Sequence, residues 1–397
     1  MRINNKYLIE ALVFTSYVLF AMAWVGGAAS MAQIMASLNI ESLAAASFIS
    51  GAVTIAKIVG TFVAAWVAIK LGVKYAFFLS SVLIVIGIFT PYAANYEWLL
   101  ISRFLMGLGG AFMIVYFNPI VMRWFEVSER PIINGLNAVA FNVGTAIILW
   151  FMPTINVVTG SWQNSLILFS IASIVVALAW LLVEFTPENS DRTNSNIALD
   201  NYSYIDGLKD KFNWAYGLTY SGLLAFYICL FTFYPKAGIS QSKWVIGFGI
   251  IGTLAGIVYS KKISARLPVI RWSGVVIVLT IAGLSFSQST LVQTISAMIL
   301  GFFIFFPITA LVSIPHELPN MTGQRVTVVF SLFYSISYLV STFILWWFGN
   351  LVDSNNGSYT QAFTLITILS SSFFIGSFFL PETGNKNINT RMKPCEE

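Results

Sequence analysis

Read from the amino terminus, the chain alternates long apolar runs with short polar breaks. Twelve runs stand out, at about 7–29, 44–69, 75–93, 98–122, 132–155, 164–185, 215–234, 243–260, 272–287, 290–314, 325–348 and 361–380. At about 1.5 Å of rise per residue, a run of about twenty residues crosses the hydrocarbon core of a bilayer. Apolar runs of that length predict helices, because a membrane barrel is built from shorter, alternating strands. The first run ends in Gly27-Ala28-Ala29-Ser30, which looks like a leader cleavage region. It is too long for a leader's apolar core and many spans follow, so it reads as an uncleaved first helix. The predicted fold class is an all-α membrane protein of twelve transmembrane helices.

Composition agrees. Hydrophobic residues make up 57% of the 397 and charged residues 9%, with a mean hydropathy of +0.81. A soluble domain carries roughly 25% charged residues. The net charge of +5 does not point to nucleic acid, because the positive charges follow topology. With the N-terminus placed in the cytoplasm, all but four of the 21 Lys and Arg fall in cytoplasmic segments. The four are Lys57 and Arg103 inside spans, and Lys236 and Lys243 outside. The positive-inside rule therefore places both termini in the cytoplasm, and a bacterial inner (plasma) membrane is the expected location. Cys229 lies in a span and Cys395 in the tail, so a disulfide between them is not expected.

The longest break, rich in Asn and charge, divides the spans six and six. The expected organisation is a first bundle at 1–185, a cytoplasmic linker at 186–214, a second bundle at 215–380 and a cytoplasmic tail at 381–397. Within the linker, Tyr202 to Phe212 is read as a short surface helix. The halves echo each other: Val59-Gly60-Thr61 matches Ile251-Gly252-Thr253, and Gly107 matches Gly301, at offsets of 192 to 194 residues. Repeated six-helix units imply a carrier with a midplane site between them.

This plan resembles the major facilitator superfamily over nearly the whole chain. Arg103-Phe-Leu-Met-Gly107-Leu-Gly109-Gly110 is similar to that family's R-x-x-x-G-x-G motif. Arg123-Trp124-Phe125 followed by Glu129-Arg130 resembles a loop found in its anion and organic-acid porters. Gly349-Asn350-Leu351-Val352-Asp353 resembles the close of the eleventh span. One loop departs: where the family has G-x-L-A-D-R-x-G-R-K, this chain reads Ala65 to Lys74, with Ile69 at the acidic position. The resemblance implies that this carboxylate helps to close the cytoplasmic side. Arg123, Glu126, Glu129 and Arg130 are the candidates to replace it, and Lys70 and Lys74 retain the motif's basic positions.

Lys57 sits near the middle of the second span. A charge at that depth costs from a few to over ten kcal/mol unless it faces protein or water. It either binds neighbouring helices or faces a cavity and attracts an anion. No Asp or Glu lies deep in any predicted span; Glu10 and Glu184 sit near span ends. Arg103 either ties its helix to neighbours or acts in coupling. Tyr220 and Tyr227 share a face of the seventh span, and Tyr334 and Tyr338 one of the eleventh. Together with Asn142, Tyr116 and Asn118 they are candidates to line a substrate site, or to pack and hydrogen-bond between helices. Phe302 to Phe306 before Pro307 predict packing and a kink. His316 beside Glu317 is read as a solvated loop pair.

No nucleotide loop or catalytic constellation is present, and one His with two distant Cys forms no metal cluster, so an enzyme is not expected and no cofactor is implied. The chain reads as a monomeric secondary transporter in membrane lipid, moving a small anionic or zwitterionic metabolite by alternating access. A proton, carried for instance by Glu10, or a counter-anion is the candidate for coupling. Efflux of amphipathic compounds, and a membrane sensor that keeps a transporter fold, are the competing readings.

Overall fold

The structure is a computed structural model and describes residues 3–126, 129–185, 202–263, 265–319 and 321–383. Most of the linker and the tail beyond Thr383, including Cys395, lie outside the described residues. Among the described residues eleven helical stretches are long and apolar enough to cross a membrane. The longest, Leu43–Tyr92, has 50 residues and holds two passes. At Gly72 the backbone leaves the helix (φ 73, ψ 154), a left-handed conformation that only glycine adopts cheaply.

We number the crossing helices α1 (Lys6–Ala29), α2 (48–71), α3 (73–85, continued by a 3-10 turn Ile86–Tyr92), α4 (Tyr96–Trp124), α5 (Arg130–Thr159) and α6 (Trp162–Leu181). The rest are α7 (Lys211–Thr232), α8 (Ser242–Lys262), α9 (Leu267–Phe286), α10 (Thr290–Phe305, resumed as Ile308–Glu317), α11 (Gly323–Ser354) and α12 (Thr360–Ser370, continued to Phe379). Five of the polar breaks supply a side-chain cap at the helix start. The side chains of Asn5, Asn95, Ser161, Asp210 and Thr322 accept hydrogen bonds from first-turn amides. The chain leaves α10 at Phe306-Pro307, where the sequence predicts its kink. α9 begins at Leu267, five residues earlier than predicted, because Pro268 suits the first turn and Glu382 accepts from the Arg266 and Leu267 amides at 2.7 and 2.9 Å. Tyr204–Lys209 forms the expected short helix, closed by a Ser203–Asp206 capping box.

Glycines set the closest crossings. A Cβ on Gly107 of α4 would lie 2.8 Å from Ala56 Cβ and 2.9 Å from Val53 Cα of α2. Gly301 of α10 meets the backbone of Val245 on α8 in the same way, and Gly60 and Gly252 fill the matching positions further along α2 and α8. The α2–α4 crossing thus recurs as α8–α10. Contacts of α4 also fix the passes around it. Gly107 and Ala111 meet Val53 and Gly60, so α4 runs parallel to α2, whereas Met106 and Gly109 meet Gly87 and Ile84, so α3 runs the other way.

The face that carries the N-terminus differs from the opposite face. On the opposite face the last turn of α11 meets the start of α2. The Asp353 carboxylate accepts from Ser42 Oγ (2.8 Å) and from the Leu43 and Ala44 amides (2.9 Å each). Deeper on that side, Ser50 bonds Thr232 at 3.0 Å and Thr54 bonds Thr342 at 2.6 Å. These contacts join helices of the first six to helices of the last six. On the N-terminal face two ion pairs each join residues of one set: Lys6–Glu129 at 2.7 Å and Arg266–Glu317 at 2.6 Å.

Candidate functional site

Lys57 lies in the middle of α2, and only 2% of it is exposed. Its ammonium stands 5.1–6.0 Å from the centroids of five rings: Tyr17, Phe20 and Trp24 of α1, Phe141 of α5 and Tyr338 of α11. Nζ donates one long hydrogen bond, 3.4 Å, to Tyr17 Oη. No carboxylate lies within ion-pair distance of it among the described residues. Each ring face attracts the cation by about 0.5–2 kcal/mol, more where water is absent. The rings therefore replace part of the lost hydration, but leave most of the ammonium's hydrogens without an oxygen. Trp24 Nε1, in one of those rings, is also buried without an acceptor.

Helical spacing gathers the rings. Tyr17, Phe20 and Trp24 follow an i, i+3, i+7 pattern, which puts them on one face of α1. This stripe is legible in the sequence but lies outside the candidates drawn from it. Phe141 sits beside Asn142, whose Oδ1 accepts a 2.7 Å hydrogen bond from Tyr227. Tyr338 lies within electrostatic reach of the phenols of Tyr17, Tyr220, Tyr227 and Tyr334. Six of the predicted residues thus come together: Lys57, Asn142, Tyr220, Tyr227, Tyr334 and Tyr338. Tyr220, Tyr334 and Tyr338 are only partly buried although they sit at mid-helix.

Other candidates fall elsewhere. Tyr116 is buried and its hydroxyl donates to Ala64 O of α2 at 2.8 Å, a bond between helices. Asn118 is exposed on α4, nearer the N-terminal face. Arg103 is buried and its donors converge on three carbonyls: Nε on Ile49 O (2.9 Å), Nη1 on Ala23 O (2.9 Å) and Nη2 on Trp24 O (2.7 Å). It fastens α4 to the end of α1 and the start of α2.

Glu10, one turn into α1, is 3% exposed, more enclosed than its place near a span end implies. Asn137 of α5 faces its carboxylate, and neither group makes a hydrogen bond within 3.5 Å. Glu129 pairs with Lys6 and accepts from the Glu126 amide at 3.1 Å, which hold its carboxyl below the usual carboxylate range. Arg130 donates to Phe125 O and Met122 O in its own loop. Arg123 lies over Phe185, Lys70 over Trp66 and Lys74 near Tyr75. Ile69 is 84% exposed. In this conformation these contacts stay among the first six helices. His316 is exposed and ends the α10 helix beside Phe330, while the partly buried Glu317 bridges Arg266 and Thr383. A cleft of about 780 Å³ on the N-terminal face is lined by Asp210, Lys211, Phe212 and Arg325, away from Lys57 and its rings.

The sequence profile of the Major Facilitator Superfamily matches residues 13–343. The chain belongs to that superfamily. An uncharacterized protein of Campylobacter jejuni is 28% identical over 311 residues, covering 74% of this chain and 95% of the relative. An uncharacterized protein of Mesomycoplasma hyopneumoniae is 20% identical over 246 residues, 56% of this chain and 50% of that protein. Among solved structures, the inward-open xylose transporter XylE from E. coli superposes with a TM-score of 0.75 at 15% identity, covering 96% of this chain and 98% of XylE. A D-xylose–proton symporter gives 0.69 at 15% identity, over 95% and 98%. At such identity these likenesses establish the fold. The protein is an integral membrane secondary transporter with a small-molecule substrate, of a family whose members are typically not enzymes.

Proposed function

We propose that this transporter carries a small organic anion and that Lys57 binds its charged group. The observation that carries the reading is the state of Lys57: a buried ammonium at mid-bundle, held by ring faces and one long hydrogen bond, with no acidic partner among the described residues. An uncompensated buried charge is costly, and a substrate carboxylate is the missing counter-ion. Tyr220, Tyr227, Tyr334, Tyr338 and Asn142 complete the proposed site. Arg103 positions the α1 end of it through Trp24.

Two six-helix units, 1–185 and 215–380, rock about this site in the proposed cycle. The distribution of Lys and Arg supports cytoplasmic termini in a bacterial inner membrane. With that orientation, the packed face with Asp353 is the outer one. Glu10 is the proposed proton carrier if transport is symport, and anion exchange needs no such group.

The test is counterflow of labelled organic acids in proteoliposomes. Lys57→Met is expected to lose it and Lys57→Arg to retain part of it, with both variants incorporating normally. Undiminished counterflow by Lys57→Met would overturn the binding role.

A further inference from the structure

The chemistry around Lys57 narrows the class of anion, an inference that rests on the anion reading above. We propose that the ligand is a planar aromatic monocarboxylate, with its carboxylate on Lys57 and its ring against Tyr338 and Phe141.

The number of charges comes first. Lys57 is the only Lys or Arg lying over these rings among the described residues. Arg103, the other buried cation nearby, has its donors engaged on the carbonyls of Ala23, Trp24 and Ile49. One negative charge is therefore matched. A second carboxylate would lie among aromatic faces, which are themselves negative, with no cation to meet it.

The donors come second. Lys57 Nζ has one protein oxygen, at 3.4 Å, and Trp24 Nε1 has none. The two oxygens of a carboxylate are suited to these two unsatisfied donors. Asn142 Oδ1 is already bonded to Tyr227.

The walls come third. The rings at the ammonium belong to three helices beyond α2, and two of them, Phe141 and Tyr338, are partly exposed. Tyr334 and Tyr338 stack with centroids 6.4 Å apart and planes 27° from parallel, and both are partly exposed. Aromatic pairs contribute beyond their buried area, so flat faces select a flat guest over a puckered one of equal size. The hydroxyls of Tyr220, Tyr334 and Tyr338 make no protein hydrogen bond among the described residues, and they are free to meet polar substituents on that ring.

Four probes separate these points: benzoate, cyclohexanecarboxylate (puckered, same charge), terephthalate (second carboxylate) and benzamide (no charge). Affinities for the purified full-length protein are read by competition with labelled benzoate and by the thermal midpoint. Benzoate is expected to bind about tenfold tighter than cyclohexanecarboxylate, the size of one to two aromatic contacts. It should also bind tighter than terephthalate and benzamide. Tyr338→Leu should reduce the benzoate to cyclohexanecarboxylate ratio towards one, while Tyr338→Phe keeps it. The ratio is internal to each variant, so a loss of folded protein does not imitate the effect. Equal binding of benzoate and cyclohexanecarboxylate would overturn the aromatic assignment and leave the anion reading standing. Tighter terephthalate would overturn the single charge. Binding of benzamide but of no acid, or no binding by any acid, would overturn both readings.

Discussion

The guanidinium of Arg103 donates a 2.7 Å hydrogen bond to the carbonyl of Trp24, and the indole of the same Trp24 stands 5.5 Å from the Lys57 ammonium. The family's arginine on α4 therefore sets the backbone that carries one wall of the proposed site.

Replacing Arg103 with Leu removes three buried side-chain hydrogen bonds to the helical carbonyls of Ala23, Trp24 and Ile49. Hydrogen bonds from a charged donor contribute about 1.5–3 kcal/mol each in water, and less in a bilayer, where the unfolded reference also finds partners. A loss of about 3 kcal/mol is expected, seen as a fall in the thermal midpoint of the purified protein. Arg103→Lys should recover less than half of that, since an ammonium is a compact point of charge and cannot reach α1 and α2 along three directions at once. A midpoint for Arg103→Lys equal to the parent would contradict the three-point tie.

The repeated crossing gives a paired prediction. Gly107→Ala and Gly301→Ala each place a methyl against the backbone or Cβ of the facing helix, which costs about 1–3 kcal/mol in a packed core. The two losses should be similar, because the α2–α4 and α8–α10 contacts are built alike. Gly247→Ala on α8 is the control: nothing lies within 4 Å of its added Cβ, so it should be neutral or slightly stabilising. Thermal midpoints of the three variants decide it.

Those glycines also show how much the sequence discloses. Gly60, Gly107, Gly252 and Gly301 are visible as an echo at offsets of 192 and 194 residues, and the structure places them at matching crossings. Helix positions follow from apolar runs bounded by caps and prolines, which are local signals. The candidate site is legible in part. Lys57 stands out because a charge in an apolar run is rare, and Tyr220, Tyr227, Tyr334 and Tyr338 because tyrosine repeats at helical spacing. Tyr17, Phe20, Trp24 and Phe141 gave no such contrast: aromatic residues are common throughout the spans, and only the tertiary fold selects those that meet the ammonium. Tyr116 and Arg103 show the converse. Their polar groups look available in the sequence, and the fold joins them to backbone carbonyls of other helices.

Asp353 predicts how the packed face opens. Its carboxylate accepts three hydrogen bonds at the start of the helical segment leading into α2, where the helix dipole favours negative charge. Asp353→Asn removes the charge and one strong acceptor, which weakens the α11–α2 contact by about 1 kcal/mol, or roughly fivefold in an opening equilibrium. Spin labels at Ala45 and Asn350, in a background without Cys395, should show a larger population of the longer distance in the variant. An unchanged distance distribution would mean that apolar packing around Gly349 holds this face without the carboxylate.

Glu10 offers a test of coupling that separates energetics from transport. Its carboxylate is buried, and neither oxygen makes a hydrogen bond within 3.5 Å, even to the facing Asn137. A buried charge in that condition destabilises the fold, so Glu10→Gln should leave the thermal midpoint unchanged or raise it, since an amide is cheaper to bury than an anion. If Glu10 carries the proton, the same variant loses uptake driven by a pH gradient. It keeps counterflow, which exchanges substrate without net proton movement. Loss of both activities in a folded variant would instead place Glu10 in substrate binding or gating. Full retention of gradient-driven uptake would remove it from the coupling path and leave anion exchange, or a proton carried on the substrate, as the route.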